Sequence, residues 1–149
     1  MDIVEEVARR RQTIKLKDPE SAYPEIKDLL ERRMGFDDVK EEKYFHDVDT
    51  GTTRSKIVTV EGFDQHTVEK LEIFLVITPD SRELDLQIKG KIVTHYETEG
   101  LLWKGSLWYY AYRALYDKFL YGSARHGFEE FVEEKMDELL ERVRQNLEA

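Results

Sequence analysis

Chemistry has few places to reside in this chain. There is no cysteine, which excludes disulfides, thiolate metal sites and cysteine nucleophiles. No glycine-rich phosphate loop, Gly-x-Ser-x-Gly elbow or His-Glu-x-x-His helix is present. The four histidines are His46, His66, His95 and His126. Two of them come together once the segments around them are aligned as strands. Leu71, Ile73, Leu75 and Ile77 share one face, as do Leu84, Leu86, Ile88 and Ile92. A register that follows this apolar pattern pairs Ile77 with Leu84 and sets His66 opposite His95 on the other face. A similar register for the preceding hairpin brings Glu61 beside His66. Glu61, His66 and His95 then form a row across three strands, a donor set capable of binding zinc with water as fourth ligand. On a solvated face the same row needs no special explanation, and a metal demands tighter geometry than strand pairing supplies. His46 belongs at the opposite end of the strands and does not complete the row.

Carboxylates offer less. Asp37-Asp38 and Glu41-Glu42 are adjacent in sequence, so on a strand their side chains point apart, whereas an acid/base dyad needs convergence in a cleft. No catalytic residue is singled out, and no cofactor is expected.

The most apolar stretch is Leu101 to Gly122, which holds Trp103, Trp108, Phe119 and five tyrosines. Read as a helix from about Lys104, it places Trp108, Tyr112, Leu115, Tyr116 and Phe119 on one side and Ala111 and Ala114 on an adjoining one. A helix so nearly apolar all round is normally buried on two sides. It also offers a surface for another copy of the chain, or one wall of a ligand pocket, since tyrosine and tryptophan serve both. Lys104, Arg113, Asp117 and Lys118 interrupt it too often for a membrane span.

The elements that position these groups follow from periodicity. Ile3, Val4 and Val7 read as one side of a short leading helix capped by Asp2. Gln12 to Lys17 alternates as a short, edge-type strand. Asp18-Pro19 is a cap followed by proline at the first helical position. Tyr23, Ile26, Leu29, Leu30 and Met34 then recur at helical spacing up to Gly35 as the terminating residue. Four strands of period two follow, roughly Val39 to Val48, Arg54 to Glu61, His66 to Ile77 and Glu83 to Tyr96. Short turns join them into an antiparallel meander with one packed and one wet face. Gly122 and Ser123 read as a break before a last helix that carries Phe128, Phe131, Val132, Met136, Leu139, Leu140, Val143 and Leu147 on one side.

Tyr96-Glu97-Thr98, Trp103, the run Leu115-Tyr116-Asp117-Lys118 and the glutamate-rich helix from Phe128 resemble a group of small uncharacterised archaeal proteins. The likeness covers roughly the last two thirds of the chain and implies no activity. The order of elements also resembles, less closely, the helix-grip ligand-binding fold, which closes a curved antiparallel sheet with a long C-terminal helix. That fold usually places six strands after its first helical segment, and this chain supplies four.

The expected architecture is a single α+β domain over 1–149. It is an antiparallel four- to five-stranded meander with an N-terminal helix and two C-terminal helices packed on one face. A net charge of −9 argues against nucleic acid and anionic lipid as partners. The first residues carry acids before their basic cluster and no apolar run, so no signal peptide is read and the cytoplasm is the expected place. The expected function is that of a non-catalytic binding or interaction protein that self-associates as a homo-oligomer. The alternative is a carrier or enzyme of helix-grip type that takes a small apolar ligand between sheet and aromatic helix. Its pocket would be lined by Trp108, Tyr112, Tyr116, Ile73 and Ile88, and would need an enclosed space of about 300 Å³ or more.

Overall fold

Alternating apolar residues build four consecutive antiparallel strands: β2 (Asp38–His46), β3 (Thr53–Gly62), β4 (Thr67–Thr78) and β5 (Glu83–His95). The computed structural model describes residues 2–63, 67–95 and 121–149, with backbone alone at 2, 3, 95 and 121–126. Ile77 pairs with Leu84, and the rest of the β4–β5 ladder follows the register that the apolar residues dictate. One face of the sheet is packed. Leu71, Ile73, Leu75 and Ile77 of β4 and Leu84, Leu86, Ile88 and Ile92 of β5 are buried there. The other face is charged, with Phe74 lying between the ammonium groups of Lys56 and Lys89 at 5.4 and 5.2 Å.

The N-terminus departs from expectation. The leading helix read at Ile3, Val4 and Val7 is a strand: β1 runs from Asp2 to Lys15 and takes in most of the short strand expected at Gln12 to Lys17. It pairs antiparallel with β5 from Asp2–His95 to Lys15–Glu83, with a bulge at Val7. Long-range pairing outweighs the local helical pattern here, because β5 would otherwise be an open edge. The bulge keeps Arg10, Gln12 and Ile14 opposite Ile88, Leu86 and Leu84 on the core face. Arg11–Asp85 and Lys15–Glu83 ion pairs, at 2.8 and 2.7 Å, fix the two strands on the outer face.

The sheet order is β1-β5-β4-β3-β2, so β1 and β2 lie at opposite edges and the chain must cross the sheet between them. It does so as α1 (Pro19–Asp28), whose Asp18 cap accepts from the Glu20 amide at 3.1 Å. Leu29–Arg33 continue it as a wider turn, closed by the Met34 amide on the Leu29 carbonyl at 3.1 Å. Gly35 ends it with φ 74°, the left-handed conformation glycine adopts without cost.

The last helix, α2 (Tyr121–Leu147), runs through Gly122 and Ser123, so the break expected there is absent. Val132, Met136, Leu139, Val143 and Leu147 are buried at helical spacing. Its end is tied to the sheet, since Ala149 N–H donates to the Lys15 carbonyl and Lys17 N–H to the Leu147 carbonyl, at 2.8 and 3.1 Å. The described residues thus form an α+β fold with two helices on one face of a five-stranded antiparallel sheet. The helix expected from about Lys104 lies outside them.

The helix sits close to the strands because of Gly90. A β-carbon there would lie 2.5 Å from Met136 Sδ and 2.6 Å from Val132 Cγ1. Met136 can swing its thioether aside, but the branched Val132 cannot yield without moving the helix. Gly90→Ala is therefore expected to lower stability in urea denaturation by about 1–3 kcal/mol. A double-mutant cycle with Val132→Ala should show coupling of at least about 0.5 kcal/mol, because the smaller residue relieves the clash. Strict additivity would show that Gly90 does not set the helix height.

Candidate functional site

The packed face is not apolar throughout. Towards the end where β4 begins and β5 ends, its core positions turn polar: Thr59 and Glu61 on β3, Thr67 and Glu69 on β4, and Thr94 on β5. Glu61 faces Glu69 directly, and Thr67 faces Thr94. The row through Glu69 continues to Ile92 of β5 and Glu5 of β1. Thr59, Thr67 and Glu69 are each 0% exposed. In a fold this size, three such residues side by side inside the core require partners.

Four atoms lack them. Thr59 Oγ1, Glu61 Oε2 and both carboxylate oxygens of Glu69 are buried with no hydrogen-bond partner among the described residues. Burial pushes the Glu69 carboxyl up to about 8, the Glu61 charge opposite adds to the rise, and Lys135 of α2 opposes it only in part. Glu69 is accordingly a neutral acid at pH 7. Lys135 comes from the turn of α2 that crosses this end of the sheet. Its ammonium donates to the Met34 carbonyl at 2.8 Å, lies 3.9 Å from Glu61 Oε2 and sits 5.2 Å from the centre of the Phe36 ring. The lysine thus holds the end of α1 to α2 and reaches the acidic pair from one side. Phe63 flanks the cluster, stacked on Phe128 at 4.4 Å and edge-on to Phe131 at 5.3 Å.

Of the row expected at Glu61, His66 and His95, the β3–β4 register takes Glu61 away. The expected hairpin set Glu61 beside His66 with a tight turn at Gly62-Phe63-Asp64. Instead, Gly62 pairs with Val68 and Phe63 N–H donates to the Thr67 carbonyl at 2.9 Å. That longer connection moves the pairing by three residues, and an odd shift sends a side chain to the opposite face. Glu61 therefore joins the core face rather than the wet one. His95 ends β5 opposite Asp2, and His66 lies outside the described residues. Among the described residues, no group of three His, Asp or Glu side chains is placed to hold a metal ion.

The residues expected to line an apolar pocket divide in the same way. Ile73 and Ile88 face one another across β4 and β5 at the centre of the core, fully buried. Trp108, Tyr112 and Tyr116 lie outside the described residues. The described space between α1 and α2, lined by Ile26, Leu29, Val143 and Leu147, amounts to only about 10 Å³. A larger, open cleft of about 290 Å³ lies at the opposite end of the sheet between Tyr23, Tyr44, His46 and Pro79. There His46 Nδ1 and Thr53 Oγ1 are 2.8 Å apart, so that histidine already has its partner. Asp37 is likewise engaged, accepting from the Gly62 amide at 2.7 Å, and Glu42 pairs with Lys56 at 3.0 Å.

Glu69 escaped sequence reasoning although a signal was present. It stands two residues before Leu71, in step with Leu71, Ile73, Leu75 and Ile77, and extending that alternation carries it onto the core face.

No protein-family model and no curated protein matches the chain. A solved structure of an uncharacterised protein from Rhizobium leguminosarum is similar at 12% identity, over 95% of this chain and 99% of that one, with a TM-score of 0.28. A likeness at that level carries no argument about fold or activity, and it lends no support to an archaeal kinship. No helix among the described residues is long and apolar enough to cross a membrane.

The raised Glu69 carboxyl has a consequence for stability. Its unfolded value lies near 4.5 and its folded value near 8. Between those values the folded chain binds the extra proton, so the contribution of Glu69 is fully present below about pH 4.5 and is lost as the pH rises towards 8. Stability should fall by about 1.4 kcal/mol per pH unit in this window. Glu69→Gln should remove that slope, leaving its curve flatter than wild type in urea melts from pH 5 to 8. Parallel curves would show that Glu69 ionises as an exposed carboxylate does.

Proposed function

We propose that the chain is a non-catalytic binding domain whose ligand is held at the polar end of the core, between the sheet and α2. The observation that carries this reading is Glu69, a wholly buried carboxyl with both oxygens unpartnered. Leaving such a group unsatisfied costs about 1–3 kcal/mol. Replacing it with a leucine of similar bulk would avoid the cost, so a residue kept under this penalty marks a site rather than a scaffold position. A terminal helix over the packed face of an antiparallel sheet is also the arrangement in which helix-grip proteins hold their ligands. The close seat of α2 at Gly90 moves any such ligand away from Ile73 and Ile88, towards Thr59, Glu61 and Glu69.

A second observation favours self-association. β2 is an edge strand, and Tyr44, Phe45 and Val48 at its end are 52, 62 and 87% exposed. An exposed apolar edge is a template for pairing with another chain, here a second copy.

A fragment screen by amide NMR tests the first reading. Binders should shift Thr59, Glu61, Glu69 and Thr94 together, and Glu69→Leu should abolish those shifts while raising the melting temperature. Binders that shift only residues of the Tyr23–His46 cleft would overturn it. For the second reading, Phe45→Lys should reduce the sedimenting mass at high micromolar concentration to that of one chain. A wild-type chain already monomeric there would overturn it.

A further inference from the structure

The class of ligand can be read from the same cluster, on the footing that a ligand binds there. Among the described residues, the cation at the cluster is Lys135, which donates to the Met34 carbonyl and whose ammonium lies 3.9 Å from Glu61 Oε2, beyond hydrogen-bond reach, and 5.2 Å from the centre of the Phe36 ring. Thr59 Oγ1, Glu61 Oε2 and the two oxygens of Glu69, from two strands, have no hydrogen-bond partner among the described residues. Thr59 is independent of the acidic pair. It is a neutral hydroxyl, 0% exposed, one step along β3 on the same face and equally without a partner. Once Glu69 ionises, the carboxylate oxygens accept only and the Thr59 hydroxyl can accept as well, so a ligand that brings N–H donors satisfies the whole set.

We propose that the polar end of the core binds a small organic cation, a primary ammonium or a guanidinium group, whose N–H groups donate to Glu69, Glu61 Oε2 and the Thr59 hydroxyl. Organic rather than metallic character follows from two features. Among the described residues no three carboxylates or histidines converge, and the Lys135 ammonium already stands beside Glu61. The Phe36 ring holds the Lys135 ammonium over its face, the kind of contact that an aromatic ring makes with an alkylammonium or guanidinium.

The reaction balances as an exchange. Neutral Glu69 gives up its carboxyl proton to solvent, and the resulting carboxylate takes the N–H donors of the cation, so one positive charge enters as one leaves. Among the described residues the charges bearing on Glu69 are Glu61 on β3 and Lys135 on α2, and Glu5 takes the position on β1 beyond Ile92. Beside Glu69 the Glu61 carboxylate stands against the Lys135 ammonium, and the cation supplies the charge that lets the Glu69 carboxyl ionise. Affinity should therefore rise about tenfold per pH unit below the Glu69 value of about 8 and level off above it.

Four molecules sharing a butyl chain decide the matter: butylammonium, butylguanidinium, butyramide and butyrate. Each is titrated into the full chain while the side-chain carboxyl carbon of Glu69 is followed by NMR. The two cations should move the Glu69 titration midpoint down by at least about one unit, and the amide and the carboxylate should leave it in place. Glu69→Gln, which keeps the shape and removes the charge, should abolish binding of both cations with the near-ultraviolet circular dichroism unchanged. Thr59→Val should weaken it severalfold. Butyramide or butyrate binding here, with loss in Glu69→Gln, would overturn the cation assignment and leave the wider binding reading intact. Calcium chloride reproducing the shift in place of the amines would overturn it in favour of a metal. No movement of the midpoint with either amine would also overturn it, while the fragment screen separately decides whether the site binds anything.

Discussion

The seating of α2 on β5 is the contact on which the rest of the structure depends. Because position 90 carries no side chain, Val132 and Met136 enter the space a β-carbon would fill, and the helix lies against the strand instead of riding above it. That single approach buries the row of Leu71 and Gly90 and aligns the remaining turns of the helix with Leu86, Ile88 and Ile92. It also fixes where the helix ends. Leu147 reaches the foot of β1, and the last residues close backbone hydrogen bonds with Lys15 and Lys17. A helix a few ångströms higher would leave β1 and α1 without a common core, since both pack under the same apolar stripe.

The same close packing makes the polar end conspicuous. Where the core is filled with leucine and isoleucine at crystal-like density, an uncompensated carboxyl is a large local cost, and burial drives it towards its neutral form. Glu69 and Glu61 face one another with one lysine between them, so at neutral pH the arrangement carries a single negative charge matched by a single positive one. Lys135 has two duties that cannot be separated: it caps the end of α1 through the Met34 carbonyl and its positive charge favours ionisation of the acidic pair. The fold and the site therefore share a residue, and a change in one is felt in the other.

Particular residues show how far the chain could be read without its fold. The Asp18-Pro19 start and the Gly35 end of α1 were legible because caps act within a few residues. The β4–β5 register was legible because eight apolar residues share one face and the short turn takes the tightest alignment that keeps them there, Ile77 with Leu84. β1 was not, since Ile3, Val4 and Val7 satisfy a helical spacing locally and only β5, about ninety residues away, decides for a strand. The Gly122-Ser123 break was misread for the opposite reason, because two helix-ending residue types lie within a helix that continues through them.

By itself the sequence determined the class of fold, the meander, the packed and wet faces and the acidity of the chain. These are consequences of period and composition, which act over short stretches or over the whole chain. Tertiary structure decided the site. Glu61 and Glu69 meet because the β3–β4 connection is longer than the tight turn its glycine suggests, and a shift of three residues turns Glu61 from solvent to core. Glu61 beside His66 belongs to one β3–β4 register and Glu61 facing Glu69 to the other. Sequence alone allows both, and the hydrogen-bonded ladder between two strands selects one.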